Sequence, residues 1–298
     1  MDAKFRPAIA AIKGGDIDEL KALLRRDPTL ATSRSSTGHP TLLQCLTLDG
    51  RDVSNKVEMA RVLVEAGAEI NGPLCACASM DNVEVAAALL DAGALIDGTG
   101  GWSPLEEALY WRNQGVIDLL VKRGALLHNL RIAAGLGRLD LIHSFFDHDG
   151  NLKPEAGKID WPFGDPLTGK FPKPIKEELQ AKFTRWSDQP RNVINNAFIY
   201  ACIHNRIEAA TLLLQKGADI NAIPPGFDYA GTGLHNAAVH GHREMVDFLI
   251  AHGADATIKD EKVQSSPAGW ANYGGHTDLR DYLEQVANEQ SKKQTEER

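Results

Sequence analysis

Two adjacent apolar positions, a short polar step, then Gly-Ala and an apolar residue recur along the chain. The pattern reads RVLVEAGAEIN at 61–71, AALLDAGALID at 87–97, DLLVKRGALLH at 118–128, TLLLQKGADIN at 211–221 and DFLIAHGADAT at 247–257. Apolar residues at helical spacing that end on glycine predict an amphipathic helix closed by a left-handed cap. A period of about thirty residues predicts a stack of small units rather than one globular core. The stretch GTGLHNAAVHGHREMVDFLIAHGADATIKD at 231–260 shows a whole unit: turn, short helix, Gly-His turn, longer helix, loop. Met245, Val246, Leu249 and Ile250 form the packed stripe of its second helix. Ala237 and Ala238 let the two helices approach closely, and Asp255 turns the chain outward. Gly217 and Gly253 are expected at positive φ.

In this register the chain holds about eight units: 5–30, 38–71, 73–97, 101–127, 129–150, 193–221, 231–257 and 265–285. The second carries an insertion near Arg51–Lys56, and the fourth opens on Ser103-Pro104, a capping residue followed by a first-turn proline. Residues 1–150 thus hold five units and 191–286 three, with a polar tail at 287–298 that is expected to fray. Between the two blocks, 151–190 holds six of the fourteen prolines, which would stiffen a segment that has no Gly-Ala-Asp signal. One amphipathic helix is predicted there, from Pro174 to Trp186, with Ile175, Leu179 and Phe183 on one face.

The unit at 231–260 resembles the ankyrin repeat. Thr232 matches the capping Thr, Leu234-His235 the Leu-His pair, Ala237-Ala238 the small pair, and Gly241-His242 the turn, while Gly233 departs from the usual Pro. The resemblance implies an all-α ankyrin-repeat solenoid of about eight helix-turn-helix units with a concave groove. It also implies a binding module that recognises a protein or peptide partner there.

The small pair fixes the inward side of each first helix, so the residue before it and the two after it should line the groove. That stripe runs Gln44, Thr47, Leu48, then Ala76, Ser79, Met80, then Glu107, Tyr110, Trp111. It continues through Ile132, then Tyr200, Ile203, His204, then Asn236, Val239, His240, and ends at Trp270 and Tyr273. Five of the ten Trp and Tyr residues fall on it, which points to a binding surface. Loop residues Trp102, His128, Phe227, Asp228 and Tyr229 extend the candidate site, and Pro224-Pro225 stiffen the loop that carries the last three.

Charge narrows the partners. A net charge of −8 argues against nucleic acid and against anionic membranes; the protein or peptide partner is what the ankyrin resemblance implies, with a small molecule as the second choice. The opening MDAKFRPAIAAIKGGD lacks a signal-peptide core, so a cytoplasmic location is expected. Cys45, Cys77 and Cys202 fall where a small buried residue is wanted, and Cys75 lies one helical step before such a place, so all four read as core thiols. His235, His242 and His276 match repeat positions and His252 precedes a Gly cap, which makes them structural. His204 and His240 hold equivalent places on adjacent first helices. The DHDG at 147–150 reads as a helix end. No metal, nucleophile or phosphate-loop motif is present, so no metal and no cofactor are expected. The alternative to a binding module is a cofactor-independent enzyme, an acid–base lyase, isomerase or hydrolase. It would use Glu107, Tyr110, Tyr200, His204 and His240 in a groove that 151–190 closes as a lid.

Overall fold

The computed structural model describes residues 3–35, 41–50, 52–99, 103–157, 189–226 and 230–296. Among these, seventeen α-helices are joined by turns, and an isolated antiparallel bridge pairs Phe146 with Leu152. Of the expected lid at 151–190, residues 158–188 with the predicted helix lie outside the described residues, as do Trp102, Phe227, Asp228 and Tyr229.

Eight helix pairs lie among the described residues. The first helices are α1 (Arg6–Gly14), α4 (Leu42–Asp49), α6 (Asn71–Ser79) and α8 (Pro104–Trp111). Each is followed by a second helix: α2 (Ile17–Arg26), α5 (Lys56–Glu65), α7 (Val83–Asp91) and α9 (Gln114–Lys122), with the single turn α3 (Thr29–Thr32) after α2. These pairs form one compact unit that ends at Leu126. A second compact unit begins at Leu127. It pairs α10 (Leu130–Leu136) with α11 (Leu139–Ser144), α12 (Pro190–Ile203) with α13 (Ile207–Gln215), α14 (Gly233–Val239) with α15 (Arg243–Ala251), and α16 (Pro267–Tyr273) with α17 (Thr277–Glu296). Within the first unit, first helices pack on first helices and second helices on second helices, giving two rows.

Within each compact unit, side chains tie neighbouring repeats together along two edges. On the loop edge, a residue just past the Gly-Ala step accepts the amide of the following loop. Asn71 Oδ1 takes Leu95 N–H at 2.8 Å, Asp97 Oδ1 takes Leu126 N–H at 2.8 Å, and Asn221 Oδ1 takes Asp255 N–H at 2.9 Å. On the turn edge, the residue before a second helix donates back to the preceding first helix. Asn55 reaches Gly15 O at 2.8 Å, Asn113 Ala78 O at 2.6 Å, Arg206 Gly135 O at 3.1 Å and His242 Ile203 O at 2.9 Å. These bonds satisfy carbonyls that a helix end leaves orphaned. Asn82 holds the same position before α7, yet neither atom of its buried amide has a partner. The first helix it would answer to is α4, which precedes the insertion near Arg51–Lys56.

Gly217 and Gly253 both take φ +92°, as expected of caps. Among the described residues, a left-handed residue also precedes every second helix except α5. Gly15, Gly137 and Gly241 serve in some units, but Asp81 (φ 52°), Arg112 (φ 63°) and Asn205 (φ 53°) serve in others. Asp81 offsets that strain with its carboxylate, which accepts Val116 N–H at 2.8 Å.

The tail does not fray at Ala287. Helix α17 runs on to Glu296 because Gln290 takes over the bonds that a further repeat would make. Its Oε1 accepts Ala256 N–H at 2.8 Å and its Nε2 donates to Ala254 O at 2.9 Å. Gln290→Ala is therefore expected to cost about 1–2 kcal/mol by stranding those two backbone groups. The check is hydrogen exchange, which should rise first at Ala256 and along the last turns of α17.

Candidate functional site

The stripe residues divide sharply by burial. Thr47, Ile132 and Tyr200 are fully enclosed, and Ile203, His204 and Asn236 are nearly so. Gln44, Leu48, Ala76, Ser79, Met80, Glu107, Tyr110, Val239, His240 and Trp270 are half-buried. Trp111 is 50% exposed and Tyr273 88% exposed, and His128 lies on the surface.

Tyr200 and His204 are thus corrected: they are interior residues. Helix α12 is fourteen residues long and every residue from Val193 to Ile203 is buried, because α10, α13 and α14 all pack on it. Asn236 is also inward, and its amide donates to Thr232 O at 3.0 Å. Gln44 is occupied by helix capping. It accepts Thr41 N–H at 3.3 Å while Thr41 Oγ1 accepts Gln44 N–H at 3.1 Å, a closed capping box.

Trp270 belongs to a structural network rather than to an open face. Its indole N–H donates to Asp260 Oδ2 at 3.1 Å, and its ring meets His235 edge-on at 5.1 Å. Asp260 is fully buried and organises the loop ahead of α16. Its carboxylate also accepts the N–H groups of Lys262 at 2.9 Å, Val263 at 2.8 Å and Ser265 at 2.8 Å. Burial alone would push this carboxyl up, but the donors from Val263, Trp270, Ser265 and Lys262 outweigh it and hold it below the ordinary range. The sequence reading missed Asp260. Its one local sign was an Asp opening a polar turn.

Three of the histidines expected to be structural, His235, His242 and His252, bond to backbone groups. His235 sits in the capping box of α14, with Nδ1 accepting Thr232 N–H at 3.1 Å and Nε2 at 3.1 Å from Ser265 O. His252 Nδ1 lies 2.7 Å from Phe248 O. His240 stacks near His242, ring centroids 5.8 Å apart. Cys45, Cys77 and Cys202 are buried free thiols, and burial pushes Cys45 up to about 11. Asp147, His148 and Asp149 cluster on the surface with donor atoms within 4.8 Å of one another. Their turn already uses Asp147, whose Oδ1 accepts Asp149 N–H at 3.0 Å and Asn151 N–H at 2.8 Å.

The first-helix face opens at α8. Ser103 caps this helix with Glu106, which leaves the next acid, Glu107, one helical turn from Trp111. Trp111 Nε1–H donates to Glu107 Oε1 at 2.8 Å, and Tyr110 packs edge-on against Trp111 at 5.1 Å. Beside them on α6, the Cys75 thiol is pushed up to about 12, first by burial and then by the Glu107 and Glu69 carboxylates. A shallow cavity of about 270 Å³ lies elsewhere, between α5 and α7 in the second-helix row. It exists because Ala88 stands where α9, α13 and α15 carry Leu119, Leu212 and Phe248. The five residues considered for acid–base work are split: Glu107 and Tyr110 belong to the first compact unit, and Tyr200, His204 and His240 to the second.

No helix among the described residues is long and apolar enough to cross a membrane. Residues 198–250 match the family described as ankyrin repeats (many copies). The chain is 35% identical over 79 residues to ankyrin repeat and SOCS box protein 6 of Mus musculus, covering 26% of this chain and 18% of that protein. It is 35% identical over 68 residues to putative E3 ubiquitin-protein ligase XBAT35 of Arabidopsis thaliana, covering 22% and 14%. It is 42% identical over 67 residues to palmitoyltransferase ZDHHC13 of Mus musculus, covering 22% and 10%. The chain therefore spans less than one fifth of the length of these relatives.

Proposed function

The chain is an ankyrin-repeat protein, and from that premise we propose that it binds a protein or peptide partner through its first-helix face. The observation that carries this reading is Trp111, a large aromatic side chain that the fold leaves 50% exposed on α8. An exposed indole is an unfavourable use of apolar surface in water unless something covers it. Trp is also among the residue types that dominate the energetics of interfaces. The fold supports the reading in a second way. Both edge ladders are built from side-chain to backbone bonds, so the outward side chains of the first helices can vary without loosening the stack.

Selection from a random peptide library against the whole chain tests the proposal, followed by affinity measurement on variants. Trp111→Ala should weaken the selected peptides about tenfold or more and leave the unfolding midpoint nearly unchanged, since half of the ring already meets water. Arg61→Ala, on the second-helix row, should leave affinity unaltered. If the peptides respond to Arg61 and ignore Trp111, or if none is retained, the first-helix face is not the binding surface.

A further inference from the structure

The residue after the Gly-Ala step has a local task in three units. Glu69 Oε1 accepts Asn71 N–H at 2.6 Å, Asp219 Oδ1 accepts Asn221 N–H at 3.0 Å, and Asp255 Oδ1 accepts Thr257 N–H at 2.8 Å. Each carboxylate thereby closes the turn that opens its loop. In the third and fourth units the same position holds Leu95 and Leu126. A leucine side chain accepts no hydrogen bond, and these two are 53% and 60% exposed. Two adjacent units thus give up a turn-closing bond and gain no burial in return, a local conflict of the kind that marks a working surface. The two loops lie side by side. Asp97 Oδ1 accepts Leu126 N–H at 2.8 Å, and Arg123 bonds Asp91 at 2.8 Å across the same gap.

The neighbours of the two leucines say what fits over them. The third and fourth units are related by the stacking step, so their residues pair off by position: Leu90 with Val121, Asp91 with Lys122, and Leu95 with Leu126. A two-fold axis running between α7 and α9, parallel to both, lays each of these residues against its equivalent in a second copy of the chain. Leucine then meets leucine, Leu90 meets Val121, and the Asp91 carboxylate meets the Lys122 ammonium, each contact occurring twice. Lys122 is exposed, and the Asp91 side chain keeps 63% of its surface in water despite its bond to Arg123. Other neighbouring units do not match themselves in this way. The same operation between the second and third units would set Glu65 against Asp91, and between the sixth and seventh Asp219 against Asp255, acid against acid.

We infer that the Leu95–Leu126 face of the first compact unit is an isologous interface that joins two copies of this chain. The face is built from the ends of second helices and the loops that follow them. It is therefore independent of partner binding at the first-helix face, and neither reading falls with the other. The leucine pair is a small contact, which predicts a reversible dimer that forms as protein concentration rises.

Sedimentation velocity of the whole chain over a concentration series tests the inference, and the average mass should climb toward that of a dimer. Leu95→Asp and Leu126→Asp should each weaken association about tenfold or more, because two-fold symmetry places the substituted residue in the interface twice. Both variants should keep the unfolding midpoint of the unaltered chain or exceed it, since Asp can make the turn-closing bond that Asp219 and Asp255 make. The charge pair supplies a second arm that does not depend on the leucines. Lys122→Glu and Asp91→Lys should each weaken the dimer by setting acid against acid or base against base. Mixed in equal amounts, these two variants should associate again, because a mixed pair restores both acid–base contacts. A chain that stays monomeric at every concentration overturns the interface and leaves the leucines to another protein or to none. A dimer indifferent to both leucine variants overturns it as well, as does a mixture that remains dissociated.

Discussion

Acidification from neutral pH to pH 4 is expected to remove about 3 kcal/mol of stability from the second compact unit through His235 alone. His235 is fully buried, and its hydrogen bonds define its protonation. Thr232 N–H points at Nδ1, which must therefore carry a lone pair, leaving Nε2–H to meet Ser265 O. A proton on Nδ1 would set two N–H groups against each other. Burial, only partly offset by the Ser265 carbonyl and the Asp260 charge, lowers the ring from 6.5 to about 4. Between those values the unfolded chain binds a proton that the folded chain does not, so stability falls as pH falls. The slope is about 1.4 kcal/mol per pH unit. Asp260 acts in the same sense further down: its depressed carboxyl contributes stability above the ordinary carboxylate range, and that is lost as pH drops through the folded value. Denaturant unfolding at several pH values measures the slope. His235→Gln is the control, because Gln44 in α4 shows that Gln serves in this capping position without titrating. A slope that survives His235→Gln would place the acid sensitivity elsewhere.

Gly233→Pro is expected to destabilise the chain by about 1–3 kcal/mol, although proline is the residue usual at this place in the repeat pattern. The backbone is ready for it. Gly233 is the first residue of α14, and Thr232 before it sits at φ −72° and ψ 172°, the extended region that proline requires of its predecessor. Ser103-Pro104 and Ser266-Pro267 use the same arrangement in α8 and α16. The obstacle is tertiary. A Cβ on residue 233 would lie 2.8 Å from Cys202 Sγ and 2.9 Å from Phe198 Cε1. Both side chains are fixed in the core of α12. Phe198→Leu in the same chain should relieve the crowding, so the two substitutions should be strongly non-additive in a double-mutant cycle. A midpoint raised by Gly233→Pro alone would show that the core yields at no cost.

The sequence by itself determined the helix pairs, their caps and the order in which they follow one another. These are short-range properties. Ser103, Thr232 and Ser266 cap because each side chain reaches an amide three residues on. Gly217 and Gly253 end helices because a glycine takes positive φ without steric cost. The apolar stripes need only helical periodicity, and small thiols at Cys45, Cys77 and Cys202 need only a crowded interior. Tertiary structure decided which of the stripe residues meet water. Tyr200 and Trp111 obey the same register rule, yet one is enclosed because three helices surround α12, and the other stands half-exposed at the end of α8. Trp270 was drawn inward by Asp260, ten residues before it, and Gln290 holds α17 in place through a loop thirty-four residues earlier. A side chain's exposure depends on neighbours that periodicity does not name, so the scaffold was legible in one dimension and the exposed surface only in three.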